Sequence, residues 1–264
     1  MKLQKLMSIT RKGIDDFSMI DASDSVAVGV SGGKDSLALV TALAHLSRFH
    51  PKHFTVKAVT VDLGFEGADF SPIARYLEGL GVEYRVVKTE IGKIVFDVRK
   101  EKNPCSLCAK MKRGILCDAV KEMGSKTLAL AHHRDDVIDT FLLNLFYAGR
   151  LDTFLPVTDL DQSGVTVLRP FVYALESELV YFTNKNPMPV CSSLCPADRH
   201  TTREDMKVLL RTLSAENRDV KSKIFGAIQR AGLLDRSHNT TVSRNGIPYC
   251  EKNVNNSENR LQSP

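Results

Sequence analysis

The chain has 264 residues, 43% of them hydrophobic and 25% charged, with 36 Lys and Arg against 31 Asp and Glu for a formal net charge of +5. That is the composition of a folded globular protein, which excludes disorder of the chain as a whole. No apolar run approaches the roughly 18 to 20 residues of a membrane span, and the first residues lack a signal peptide's apolar stretch, so the expectation is a cytoplasmic protein with no membrane partner.

In chain order, Leu3 to Ile20 reads as an amphipathic helix. VAVGV (26–30) follows as a short, β-branched, buried strand, and a Gly-rich turn leads into the apolar helix LALVTALAHL. The alternation continues with VKAVTVDLGF as strand, FSPIARYLEGLG as helix, EYRVVK as strand, a helix over 106–123, TLALA (127–131) as strand and DDVIDTFLLNLFY as helix. Strands that alternate with helices imply parallel pairing, so a doubly wound α/β sheet of Rossmann type is expected. TDLDQSGVTVLRPF reads as a hairpin turning at Ser163 and Gly164. Helices over Tyr173 to Thr183, 201–214 and 218–232 form a helical C-terminal extension. The stretch 236–264 is polar and rich in Asn and Ser, so one domain is expected over 1–235, followed by a disordered tail.

The junction after the first strand carries Ser31, Gly32, Gly33, Lys34, Asp35 and Ser36. A strand that feeds a helix start presents unpaired N–H groups and a positive helix end to an anion. The glycines let the backbone approach a phosphate, and the hydroxyls add donors. The string fits neither G-x-x-x-x-G-K-[ST] nor G-x-G-x-x-G. Ligands in open α/β sheets bind beyond the carboxyl ends of the strands, which adds Asp62 and the string His132, His133, Arg134, Asp135, Asp136 as candidates. Asp62 suits an adenosine ribose or base and equally suits a solvated turn. The aspartates suit a helix cap and also Mg²⁺ bridging phosphates.

Six cysteines, at 105, 108, 117, 191, 195 and 250, are too sparse for a disulfide scaffold. Cys105 and Cys108 form C-x-x-C, a pattern shared by zinc sites, dithiol redox pairs and iron–sulfur ligands. Zinc would ask for a second such pair, but Cys191 and Cys195 lie four apart; a thioredoxin-like site would need its own βαβ setting. A metal or cluster on Cys105, Cys108 and one downstream Cys is the remaining reading. Cys117, on a predicted helix, is expected to be a small buried residue.

S-G-G-K-D-S resembles the pyrophosphate loop of the adenine nucleotide α-hydrolase superfamily, and H-H-R-D-D resembles that superfamily's histidine and paired-aspartate motif. The order S-G-G-K-D-S, C-S-L-C followed by K-R-G-I-L, H-H-R-D-D and a downstream Cys resembles the tRNA 2-thiocytidine synthetase family over roughly residues 10–232. The resemblance implies a PP-loop domain that binds ATP and Mg²⁺ through residues 31–36, Asp62, Arg113, Gly114, His132 and Asp136, with Asp35 and the cysteines catalytic. It implies a [4Fe-4S] cluster on Cys105, Cys108 and Cys195. ATP would adenylate the C2 oxygen of an anticodon-loop cytidine in tRNA, and sulfur would displace AMP. A cysteine desulfurase or free sulfide would donate the sulfur, and a homodimer is a further option. The chain departs from the family in carrying C-x-x-x-C where the best-known members have a second C-x-x-C; CPAD favours Cys195 as third ligand, with Cys191 the alternative. Alternatives to the family's reaction are 2-thiouridine or lysidine formation, or a non-catalytic nucleotide-binding protein with structural zinc.

The small net charge hides an uneven distribution. Residues 93–113 hold seven basic side chains against two acidic, and residues 199–236 hold nine against five. Two basic segments therefore bracket the candidate ligands. Lys110 and Arg113 flank the first cysteine pair, while Arg199, Arg203, Lys207 and Arg211 recur every four residues along one predicted helix face, which suits an RNA phosphate backbone and equally suits balance by Glu204, Asp205 and Glu176.

Overall fold

A computed structural model describes residues 1–99, 104–191, 194–196 and 202–235, without the side chains of 202 and 203. The predicted tail, Cys250, Lys100, Lys102 and Arg199 lie outside the described residues, as does the side chain of Arg203.

The centre is a six-stranded sheet of β1 (Ser25–Gly29), β2 (Thr55–Asp62), β3 (Glu83–Lys88), β4 (Thr127–Ala129), β5 (Val157–Leu160) and β6 (Val165–Leu168). Their spatial order is β3-β2-β1-β4-β6-β5, and every neighbouring pair is parallel except β5 with β6. The two antiparallel strands are the expected hairpin, turning through Gly164 at φ 65°. Val26, Ala27 and Val28 of β1 are all buried, which is why that strand reads as an unbroken apolar run. Side chains alternate between two cores: Val26 and Val28 pack with one layer, Ala27 and Val59 with the other.

Helices α1 (Leu3–Asp16), α2 (Lys34–Leu46), α3 (Ser71–Leu80) and α7 (Glu176–Lys185) fill the first layer, and α5 (Pro104–Glu122) covers the opposite face. Helices α6 (Arg134–Ala148), α8 (Thr202–Glu216) and α9 (Val220–Arg230) make a third core around Val137, Leu210 and Phe225. The doubly wound architecture is the one expected, with the C-terminal helices docked onto α6.

The sequence reading and the structure differ at three places. The first helix stops at Asp16 instead of Ile20, because Ser18 adopts a left-handed φ of 47°. Residues 91–98, where no element was expected, form a short turn α4 (Ile91–Lys93) that widens into a π-helical turn over Ile94–Val98. Helix α7 starts at Glu176 instead of Tyr173, because Ala174 N–H closes a tight turn onto Phe171 O and Leu175 is extended as the N-cap.

The chain builds β1, β2 and β3 outward on one side and then returns to place β4 on the other side of β1. The crevice beyond β1 and β4 is thus the reversal point of strand order, where ligands of such sheets bind. Helix α5 leads into β4 and so runs against the strands, which brings its amino-terminal end, with the cysteine pair, to the same edge.

Candidate functional site

Residues 31–36 link β1 to α2 at this edge. Gly32 sits at φ 85°, a backbone that favours glycine, and Gly33 is the N-cap of α2 without any side-chain cap. The first turn of α2 therefore keeps its amides available to an anion. The hydroxyls brace the loop from inside: Ser31 N–H donates to Ser36 Oγ at 3.2 Å, and Ser36 Oγ donates to Gly33 O at 2.9 Å.

Lys34 and Asp35 face each other across the loop, with Lys34 Nζ 2.9 Å from Asp35 Oδ2. The second oxygen, Asp35 Oδ1, is buried with no hydrogen-bond partner among the described residues. An anionic oxygen of this kind fits a bound cation, because a buried acceptor without a donor is costly. Partial burial pulls the Lys34 ammonium down, but the hydrogen bond and charge of Asp35, with Glu176 behind it, outweigh that and hold its pKa above the ordinary lysine value.

At the next strand end, Asp62 closes an Asx turn on Gly64 N–H at 2.9 Å, while its carbonyl accepts from Thr89 N–H and Oγ1. Its role as a turn residue is thus filled, and the carboxylate stays half-buried at the edge. Beyond β4, His133 caps α6. Its Nδ1 accepts from Asp136 N–H at 3.4 Å, and Asp136 Oδ2 accepts from His133 N–H at 2.9 Å. The histidine serves as the cap, a place where sequence reasoning favours an aspartate. Asp135 is committed as well: it accepts from Glu176 N–H at 2.9 Å and from Lys221 Nζ at 2.7 Å. Burial opposes ionisation of Asp135, yet these two donors and the Lys221 charge hold its pKa below the ordinary carboxylate value. His132 leans on Phe154 at 5.2 Å between centroids, and the Arg169 guanidinium stacks on the same ring at 4.9 Å. Arg169 is largely buried, which lowers its pKa to about 10.

The cysteines separate into two groups. Burial pushes the Cys108 thiol up; the Lys112 ammonium opposes that, and the charges of Cys195 and Cys105 reinforce it. Cys105 and Cys195 each lie near enough to Cys108 to act on its charge. Cys191 belongs elsewhere: its N–H donates to Gly32 O at 2.9 Å, and a Cβ placed on Gly32 would lie 3.3 Å from Cys191 Cβ. Cys117 is buried at the sheet side of α5. Three thiols are a donor set whose chemistry suits a cluster with one coordination position open, but among the described residues no three His, Cys, Asp or Glu side chains are drawn together closely enough to hold a metal ion.

Arg113 is exposed on α5, and Gly114 beside it faces open space. Gly114 lines a shallow apolar depression with Leu107, Lys110, Met111 and Ile115. Neither residue is brought into contact with residues 31–36 by the described interactions. Of the basic face on α8, Arg211 is neutralised by Glu204, and Lys207 approaches Glu176. The balancing of this face by Glu204 and Glu176 is thus the one the sequence offered, whereas the approach of Glu176 to Lys34 at 3.4 Å is made by tertiary contact and left no sequence signal.

Residues 4–205 match the PP-loop domain family. The tRNA-cytidine(32) 2-sulfurtransferase of Geobacter metallireducens is 36% identical over 241 residues, spanning 89% of this chain and 94% of the relative. The protein of the same name from Citrifermentans bemidjiense is 37% identical over 231 residues, spanning 85% and 91%. Among solved structures, the U34-tRNA thiolase NcsA from Methanococcus maripaludis, with its [4Fe-4S] cluster, superposes with a TM-score of 0.68 at 23% identity, covering 85% of this chain and 77% of that one, a likeness of fold. The loop, the strand order and these relatives agree: the chain belongs to the PP-loop family and, within it, to the family of the tRNA-cytidine(32) 2-sulfurtransferases.

Proposed function

We propose that this chain is an ATP-dependent tRNA sulfurtransferase that replaces the C2 oxygen of an anticodon-loop cytidine with sulfur. The observation that carries the reading is an uncapped, anion-accepting loop at the reversal point of the sheet, in a chain 36% identical to enzymes of that name.

In this reading the amides of residues 32–36 and Lys34 hold the pyrophosphate portion of ATP. Asp35 Oδ1 receives Mg²⁺, which offsets the charge of the phosphates. Asp62 lies on the nucleoside side of the crevice, with His132 and the capped amino-terminal end of α6 on the other. The cytidine oxygen attacks the α-phosphorus, pyrophosphate leaves, and adenylated C2 becomes open to displacement. Fixed N–H donors favour this step because they stabilise charge as it builds on the phosphate oxygens. Cys105, Cys108 and Cys195 would hold a [4Fe-4S] cluster, which when bound supplies the sulfur. Arg113 and Lys110 lie on the exposed face of α5, available to tRNA phosphates. A cysteine desulfurase or free sulfide replenishes the sulfur, and the working form is a homodimer.

Nucleoside mass spectrometry of tRNA tests the proposal. Cells without the gene should lose 2-thiocytidine and recover it with the intact gene but not with Asp35→Asn. Unchanged 2-thiocytidine, or loss of a thiouridine in its place, would overturn the assignment.

A further inference from the structure

Behind the nucleotide loop stands a carboxylate that two lysines share. Glu176 Oε1, at the start of α7, lies 3.4 Å from Lys34 Nζ and 3.9 Å from Lys207 Nζ. Lys34 is also paired with Asp35 at 2.9 Å, so the loop lysine holds two carboxylates while Lys207 stands at the edge of contact. The side chains of Lys34, Asp35, Glu176 and Lys207 are each about one-third exposed or less, at 29%, 27%, 32% and 34%. Charges in such a position are only partly screened by water.

Resting on the reading that residues 31–36 bind ATP, Lys34 has to turn toward the phosphates. Glu176 would then face an incoming polyanion without its closest cation, and like charges at this range oppose binding. A replacement cation has to come from nearby. Arg211 is occupied by Glu204 at 2.5 Å, and Lys221 by Asp135 at 2.7 Å. Lys207 is the described cation that already approaches the same oxygen as Lys34. It lies on α8, in the C-terminal extension, far from the loop in sequence.

We propose that Lys207 is a positioning residue that takes over Glu176 when Lys34 turns to the nucleotide, so that α8 supplies the counter-charge on which nucleotide binding depends. Lys207 itself touches no phosphate. Its effect passes wholly through Glu176, which makes the two residues energetically coupled.

The test is equilibrium binding of α,β-methylene-ATP with Mg²⁺ to the full chain in four forms. Lys207→Gln should weaken binding about tenfold, the size of an ordinary coupling between contacting residues. Glu176→Gln should bind at least as tightly as the native chain, and the double variant should bind like Glu176→Gln, since removing the carboxylate removes the need for its partner. Lys207→Arg should retain native binding. Rescue in the double variant separates this role from a structural one, because a misfolded chain would not be repaired by a second substitution. Native binding by Lys207→Gln, or a loss that persists undiminished in the double variant, overturns the inference while leaving the nucleotide reading intact. A native chain that binds no nucleotide overturns both.

Discussion

Asp35 has two oxygens in different circumstances, one held by Lys34 and one buried without a donor among the described residues. Asp35→Asn keeps the shape and the contact surface but removes the charge a cation needs. AMP release should fall by about 100-fold or more, in the range seen when a fixed electrostatic contact to the reacting centre is lost, with the thermal midpoint nearly unchanged. The two downstream cysteines give a second contrast. Cys195→Ala should lose iron after anaerobic reconstitution, whereas Cys191→Ala should keep its iron and bind ATP like the native chain, because the brace on Gly32 is the backbone N–H of residue 191, which alanine retains. Equal iron loss in both would show that the division between them is wrong. The sequence made the loop legible because S-G-G-K-D-S is contiguous, and CPAD pointed to Cys195. The balancing of the basic face by Glu204 and Glu176 was legible as an alternative to phosphate contact, but the closeness of Glu176 to Lys34 was not, since a lone Glu carries no local signal of a contact made across the fold. His133 was hidden for a related reason: histidine is an uncommon cap, and its role follows from the reciprocal bond with Asp136.

Among the elements, α1 and α6 show how local preference yields to packing. Gly13 lies inside α1, where alanine would normally be favoured by about 1 kcal/mol. A Cβ there would sit 2.5 Å from Pro170 O, a backbone atom with no freedom to withdraw. Gly13→Ala should therefore destabilise the fold by about 1–3 kcal/mol, the usual cost of overpacking, read as a lower midpoint in urea at unchanged slope. Asp135 joins α6 to α7 and α9 through Glu176 N–H and Lys221. Its folded pKa lies below that of an ordinary aspartate, so the ionised form stabilises the fold above the ordinary value, and the contribution is lost as pH falls through the folded value. The stability advantage of the native chain over Asp135→Asn should be full at pH 7 and shrink below about pH 4, a trend that thermal melts across pH would reveal. Element types followed from periodicity because the apolar strands and amphipathic helices are strongly patterned. The π-helical turn over Ile94–Val98 escaped because its i to i+5 bond, Arg99 N–H to Ile94 O, leaves no sequence mark.

For the whole molecule, strand order decides function: the return of the chain from β3 to β4 opens the crevice, and α5, running against the strands, delivers the cysteine pair to the same edge. The alternation of strands and helices made this architecture legible, though not which helix faces which core, since that is settled by three-dimensional packing. The basic segments flanking the candidate ligand cysteines predict an electrostatic mode of tRNA binding. Affinity should fall as a power of salt concentration, and the slope should drop by about 1 for each phosphate contact removed in Lys110→Gln or Arg113→Gln, measured by filter binding over a salt series.

The bond from Cys191 N–H to Gly32 O joins the first strand's loop to a segment made more than half the chain later. During synthesis the loop emerges early and must wait for its brace, and for Glu176, while the ribosome completes the rest. A nascent chain halted before Cys191 would carry the nucleotide motif intact yet lack the backbone bond that braces it, so the loop reaches its final shape only after residue 191 has been made.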